Sequence, residues 1–134
     1  MDDKILEHFK KDKYAESLGI SIEKVEEGYA EVTMSVNENM VNFHGTTNGG
    51  VIFSLADAAF AYASNSYGQT AVGLTITMNY MQAGVVNEKL KAVAKEDNKS
   101  NRIGLYRIEV LNQKDELIAL AEGMVYRKKE MFIN

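Results

Sequence analysis

Two features of one stretch of the chain have the makings of a reactive centre. The first is Asn48-Gly49-Gly50, a polar, glycine-bearing turn that leads straight into the apolar run Val51-Ile52-Phe53-Ser54-Leu55-Ala56-Asp57-Ala58-Ala59-Phe60-Ala61-Tyr62-Ala63. A helix beginning there leaves its first N–H groups without intrahelical partners, at the positive end of the macrodipole. Such a terminus holds an anion, or polarises a carbonyl whose oxygen gains negative charge as it is attacked. Glycine lets a substrate come close to the backbone. The second feature is Asp57. Histidine aside, it is the only acidic or basic residue between Glu38 and Glu88. A carboxylate in so apolar a setting is expected to have a raised pKa and to serve as a general base or a nucleophile.

The run is apolar almost all round, which predicts a helix swallowed by a core, and its unbroken apolar pieces are too short to span a bilayer. On that helix Asp57 shares a face with Phe53, Ser54, Ala61 and Ser64. The two features lie eight residues apart, which on a helix is ~12 Å, so one reacting carbon cannot touch both within one chain. Two antiparallel helices related by a twofold axis bring one chain's Asp57 to the other's Gly49. A symmetric dimer with two shared sites follows.

The flanking segments supply a sheet to hold that helix. Lys4 to Ala15 carries Ile5, Leu6, Phe9 and Tyr14 among charges and predicts one short amphipathic helix. Gly19 to Val25 predicts a ragged strand, Glu26-Glu27-Gly28 a turn, and Ala30 to Val36 a half-buried strand of period two. After a turn at Gly68-Gln69, Val72, Leu74, Ile76, Met78 and Tyr80 alternate with Gly73, Thr75, Thr77 and Asn79, the cleanest strand signal in the chain. Glu88 to Glu96 predicts another strand and 97–101 a loop. Ile103 to Leu111 and Leu117 to Tyr126 form a hairpin about the turn at Asn112, with Arg127-Lys128-Lys129 as a solvated end. The order predicts an α+β fold, an antiparallel sheet wrapped around a long central helix in one domain spanning 1–134.

The motif is similar to that of the phenylacetic-acid-degradation (PaaI-like) branch of the acyl-CoA thioesterases, which have the hotdog fold. That branch has an Asn, a Gly-x-x-His-Gly-Gly turn and then an Asp in an aliphatic helix, usually as Leu-Ala-Asp. Asn42, Gly45, Gly49, Gly50 and Leu55-Ala56-Asp57 stand at the matching positions. The resemblance implies hydrolysis of an acyl-CoA to free acid and coenzyme A, with no cofactor beyond the coenzyme A of the substrate. Asp57 would activate water or attack the thioester, the Gly49 N–H would polarise its carbonyl, and Asn42 would position the Asp or the water. The family's His is Asn48 here, which can donate a hydrogen bond to a carbonyl but cannot carry a proton; as an N-cap it has an equally good structural role. The Ser or Thr that often opens the next strand falls at Gly73, and Thr75, two residues on, is expected on the same face as a substitute. Gly50, Gly73 and Thr75 are thus candidate substrate contacts, and Lys99 and Arg102 candidates for the coenzyme A phosphates, with a solvated loop as their bland alternative. The family's dimers commonly pair into tetramers.

Composition narrows the alternatives. A formal charge of −4 gives no electrostatic footprint for nucleic acid. There is no cysteine for a thiol nucleophile, and His8 and His44 are far apart without a ligand-spaced carboxylate cluster. The acidic start, Met1-Asp2-Asp3-Lys4, precedes no apolar signal region, so a cytoplasmic protein with no membrane partner is expected. A non-catalytic acyl-CoA or acyl-ligand binding module on the same fold is the second reading, motivated by Asn48 and Gly73. A hotdog hydratase, which wants an Asp/His pair on one loop, ranks last.

Overall fold

The computed structural model describes residues 2–134. Its centre is α3 (Gly49–Ser64), and around it curls one sheet built from β1 (Ser21–Glu26), β2 (Tyr29–Ser35), β3 (Gln69–Tyr80), β4 (Lys89–Lys99), β5 (Ile103–Leu111) and β6 (Leu117–Met131). The spatial order is β1-β2-β4-β5-β6-β3, with every pair antiparallel. Alternation sets which face meets the helix: Ala30, Val32, Met34, Leu90, Ala92, Ala94, Ile108 and Val110 are buried, and Lys89, Lys95 and Arg107 between them are exposed. From the helix, Ile52, Leu55, Ala56, Ala59, Phe60 and Ala63 press into the same core. The small alanines let the helix axis settle close to the sheet.

The N-terminal segment differs from the expected single helix. It is two short helices, α1 (Asp3–Phe9) and α2 (Lys13–Ser17), because Asp12 takes an extended conformation and caps α2, its side chain accepting from the Ala15 N–H at 3.1 Å. The last strand also outruns expectation. β6 continues through Arg127, which is 1% exposed, so this residue belongs to the interior and only Lys128 and Lys129 form the solvated end.

The edge strand β3 carries a correction that bears on the site. Val72 pairs with Tyr126, Gly73 with Val125, Thr75 with Met124 and Ile76 with Gly123, so Leu74 is an extra residue against β6. One added residue moves everything beyond it to the opposite face. Gly73 lies on the helix side with Ile76, Met78 and Tyr80, whereas Val72, Thr75, Thr77 and Asn79 share the outer face. Thr75 therefore does not share Gly73's face and does not stand in for a hydroxyl at that position.

Candidate active site

The loop from Asn37 to Asn48 delivers the start of α3. A single 3₁₀ turn over Glu38–Met40 opens it, and a bridge between Val41 and Thr47 closes it. Asn42 organises the tip. Its Oδ1 accepts from the His44 N–H at 2.9 Å, the Thr46 N–H at 3.3 Å and the Thr46 hydroxyl at 3.2 Å, and Gly45 takes the left-handed conformation (φ 81°) that closes the turn. The Asn48 N–H donates to the Met40 carbonyl and the Thr47 N–H to the Gly84 carbonyl, which fixes the loop to the segment after β3.

At the helix start, Asn48 is the N-cap. Its Oδ1 accepts from the Gly50 N–H at 2.7 Å, and its carbonyl receives the N–H groups of Val51 and Ile52. The Gly49 N–H alone among these first amides has no acceptor among the described residues, and no acidic residue in the first turn answers the positive helix end. The Nδ2 of Asn48 is likewise free to donate. One side chain holds the Gly49 amide in place. Tyr80 lays its ring against Gly49, where an added Cβ would lie 3.3 Å from it, and its hydroxyl donates to the Gly49 carbonyl at 2.9 Å. At Gly50 an added Cβ would lie 2.9 Å from the capping Oδ1. Both glycines thus have a packing reason to be glycine as well as leaving the backbone open. Beside Gly49 runs a groove of about 330 Å³, lined by Thr47, Ile52, Tyr80, Met81 and Gly84.

Asp57 is not in the core, as the all-apolar helix suggested, but exposed on the face of α3 turned away from the sheet. Phe53, Ser54 and Ala61 flank it half-buried, and Ser64 is covered. Partial loss of water, and then the nearby negative charge of Asp12, push its carboxyl above the ordinary aspartate range. Gly73 lies on the helix side, where an added Cβ would meet the Phe60 ring at 3.5 Å, an ordinary contact distance. Lys99 and Arg102 are not near Gly49 within one chain. They sit at the other end of the sheet, where the Lys99 ammonium lies 4.3 Å from the Tyr67 ring centre and Arg102 donates to the Arg127 carbonyl. His44 is exposed in the loop and His8 on α1, as expected. Among the described residues no cluster of three or more His, Asp or Glu is placed to hold a metal ion, and no helix is long and apolar enough to cross a membrane.

The thioesterase superfamily model matches residues 44–119, the stretch that carries both the free amide and the carboxylate. The chain belongs to the thioesterase superfamily. It is 40% identical over 119 residues to the acyl-coenzyme A thioesterase PaaI of Escherichia coli, covering 89% of this chain and 85% of that protein. A putative esterase of Archaeoglobus fulgidus is 47% identical over 92% of this chain and 80% of its own length. The solved structure of E. coli PaaI superposes with a TM-score of 0.90 at 39% identity, over 92% of this chain and 90% of that one. The fold is thus the hotdog fold of the PaaI-like thioesterases. A Streptococcus mutans protein solved with acetyl-CoA bound superposes with a TM-score of 0.80 at 25% identity, covering 84% of this chain and 90% of its own.

Sequence reasoning missed Tyr80, Asp12, Tyr14 and Tyr62 as neighbours of the two features. For Tyr80 a signal existed: it closes the strand that follows the helix, and an antiparallel return places that strand end beside the helix start. The α2 residues gave none, because their contacts with α3 span roughly 40 to 50 residues of sequence.

Proposed function

We propose that the protein is an acyl-CoA thioesterase that hydrolyses short- or medium-chain or aromatic acyl groups. The observation that carries this reading is the unpartnered Gly49 N–H at the positive end of α3, a donor with no acceptor among the described residues. Water adds to the thioester carbonyl as Asp57 takes its proton. The oxygen, now negative, is met by the Gly49 N–H and by the Nδ2 of Asn48. The carbon–sulfur bond then breaks, the proton passes to the coenzyme A thiolate, and the free acid leaves. With Asp57 as nucleophile instead, its carboxylate adds to the thioester carbonyl and the coenzyme A thiolate leaves; water then cleaves the mixed anhydride, returning the Asp57 carboxylate and releasing the acid, with the proton from that water taken up by the thiolate. Asn42, its Oδ1 engaged by its own loop, has its Nδ2 left to orient the water. Gly50 and Gly73 give substrate close access to backbone and to the Phe60 ring. Lys99 and Arg102 meet the coenzyme A phosphates only through assembly with another chain.

The site is completed by a second copy of the chain. Gly49 and Asp57 are ~12 Å apart along one helix, too far for one acyl carbon. The strand edges support a pairing partner on one side only. β1 is short, bulged between Ile22 and Lys24, and charged, with Lys24 paired to Glu26 at 3.3 Å. β3 is twelve residues long with no charged residue, and it exposes Val72 and Leu74. An uncharged edge of that length is a template for another strand. The dimer, and its pairing into a tetramer, is tested by sedimentation: a stable active monomer refutes the shared site.

Activity is tested by thiol release from acetyl-, hexanoyl-, palmitoyl- and phenylacetyl-CoA. Turnover that vanishes in Asp57→Ala supports the enzyme. Tight binding of all four without turnover favours the alternative, a non-catalytic acyl-CoA binding protein, for which the absence of a protonatable side chain at Asn48 is the motive.

A further inference from the structure

The carboxamide of Asn48 has an accepting and a donating end, and its neighbours decide which one is left for a substrate. The Gly50 N–H takes Oδ1 at 2.7 Å, at the short end of the N–H···O range, so Nδ2 is the end that stays free. The peptide group that supplies this N–H is itself engaged at its other end. Its carbonyl, that of Gly49, accepts from the Tyr80 hydroxyl at 2.9 Å. Phenol, peptide and carboxamide thus stand in series, each donating to the next, and the series ends on the unpartnered Nδ2. Tyr80 reaches this point because of the bulge in β3. The extra residue at Leu74 puts Tyr80, paired with Ala119, on the helix side; in unbroken register Asn79 would hold that side. Two glycines make room for the series. An added Cβ would lie 3.3 Å from the Tyr80 ring and hydroxyl at Gly49, and 2.9 Å from the Asn48 Oδ1 at Gly50.

We propose that Tyr80 is a positioning residue for the thioester reaction, acting through the Gly49–Gly50 peptide to aim and strengthen the Nδ2 donor of Asn48. The proposal rests on the reading of that donor as a partner of the thioester oxygen. Hydrogen bonds in series polarise one another. A donor on the Gly49 carbonyl makes the Gly50 N–H a stronger donor, and the Asn48 Nδ2 a stronger one in turn. The same bonds fix the carboxamide before substrate arrives, as stabilisation of a developing charge requires. An oxygen that gains charge in the transition state profits more from a polarised donor than the ground-state carbonyl does, so the effect falls on kcat. The hydroxyl hydrogen of Tyr80 is committed to the Gly49 carbonyl, so the residue acts through Asn48 and not on the substrate itself.

The test is Tyr80→Phe, which keeps the ring against Gly49 and removes only the hydroxyl, made in the full chain both as wild type and as Asn48→Ala. Thiol release from the most rapidly hydrolysed acyl-CoA of the panel gives kcat and KM, and NMR gives the shift of the Gly50 amide proton. In the wild-type background kcat should fall about three- to tenfold, the scale of one neutral hydrogen bond, with KM unchanged. In the Asn48→Ala background, followed at higher enzyme concentration, the same substitution should cost nothing. The Gly50 amide proton should move upfield in Tyr80→Phe as its bond to Oδ1 weakens. An equal loss in both backgrounds, a change confined to KM, an unmoved kcat or an unmoved Gly50 proton overturns the proposal and leaves Tyr80 a wall of the groove. If the Gly50 proton moves and the wild type hydrolyses no acyl-CoA, the link from Tyr80 to Asn48 stands and the thioesterase reading fails. Should Tyr80→Phe fail to fold, Gly50→Ala replaces it and cuts the series at its middle, because the new Cβ displaces Oδ1. The same loss of kcat, absent in the Asn48→Ala background, is then expected, and an equal loss in both backgrounds or none in either is the refuting result.

Discussion

The two ends of α3 treat their polar groups in opposite ways. At the C-terminal end all but one of the groups are committed, the buried Nε of Arg127 being the exception. The buried Arg127 guanidinium donates to the Tyr106 hydroxyl at 3.2 Å and to the Ser100 carbonyl, Tyr106 donates to Glu96 at 2.8 Å, and Tyr67 donates to both oxygens of the same carboxylate at 3.1 Å. Burial and then the neighbouring Glu96 push the Tyr67 hydroxyl up to about 12 and Tyr106 higher still, so both remain donors throughout the physiological range. Asn65 joins the helix end to β3 by accepting from the Ala71 N–H and donating to the Ala61 and Ala71 carbonyls. At the N-terminal end, by contrast, the Gly49 N–H and the amide nitrogens of Asn42 and Asn48 have no acceptor among the described residues. A closed network of this kind rigidifies a fold. Donors left open at a helix start are what a ligand requires. The difference separates the groups that hold the helix from those that meet substrate, and variants at each end should fail in different ways.

The largest effect is expected at the open face. Asp57→Asn and Asp57→Ala should each lower turnover by about 10² to 10⁴-fold, the scale of general-base loss, with near-native unfolding midpoints. In wild type, kcat/KM should fall as pH drops through the raised pKa of Asp57, because the base must be ionised to accept a proton. Steady-state rates from pH 4 to 8 decide it. A variant that unfolds while its soluble fraction keeps full turnover would move Asp57 to the structural side of the comparison.

The closed end should fail in the other way. Arg127→Met keeps much of the buried volume but removes the cation, leaving the Tyr106 hydroxyl and the Ser100 carbonyl without their guanidinium donor. Removing one member of a buried charged network costs roughly 3 kcal/mol, read from the denaturant midpoint. The folded fraction should hydrolyse acyl-CoA at the wild-type rate. A tenfold loss of kcat at full occupancy of the fold would mean that the far end of the helix does reach the site, as the assembly with a second chain would allow through Lys99 and Arg102.

Asn48 stands between the two cases, as cap and as donor. Asn48→Ala should destabilise by about 1 kcal/mol through loss of the Gly50 contact. Asn48→His, which restores the family residue, should leave the fold intact and change turnover more than affinity, since the side chain abuts the polarising amide. Equal kcat and equal KM in the histidine variant would reduce Asn48 to a cap.

How much of this was legible in the sequence follows the range of the interactions. The strands were readable because burial on one face imposes a period of two, as in Ala30-Val32-Met34 and Leu90-Ala92-Ala94. The helix start was readable because Asn48-Gly49-Gly50 is a local cap signal. The bulge at Leu74 was not, because alternation within β3 stays perfect and only the register against β6 breaks. Arg127 was mistaken for a solvated end because three basic residues in a row ordinarily seek water; its partners Tyr106 and Ser100 lie 21 and 27 residues away. Gly123 has a similar cause: an added Cβ there would lie 2.7 Å from the Phe60 ring, a close approach set entirely by tertiary packing. Asp57 was placed in the core since an alanine-rich helix shows no polar face, though its outer side is exposed in the single chain.

That last point yields the smallest predicted effect and a clear sign. Desolvation and the Asp12 charge raise the Asp57 pKa in the folded chain above its unfolded value. The folded state therefore binds the proton more tightly than the unfolded one. The resulting stabilisation is fully present below the unfolded pKa and is lost as pH rises through the folded pKa. At pH 7 the ionised Asp57 is a net burden on the fold, lessened by its contact with solvent. Asp57→Asn removes the burden while keeping shape and a hydrogen-bonding side chain, so the variant should be slightly more stable than wild type at pH 7, with the gap narrowing on acidification. Thermal midpoints of the two proteins at pH 7 and at pH 4 measure it. A gap that widens toward pH 4 would mean that the carboxylate is stabilised by the fold. The face of α3 opposite the sheet would then be built to hold a charge, as the Arg127 end is, rather than to leave one available for reaction.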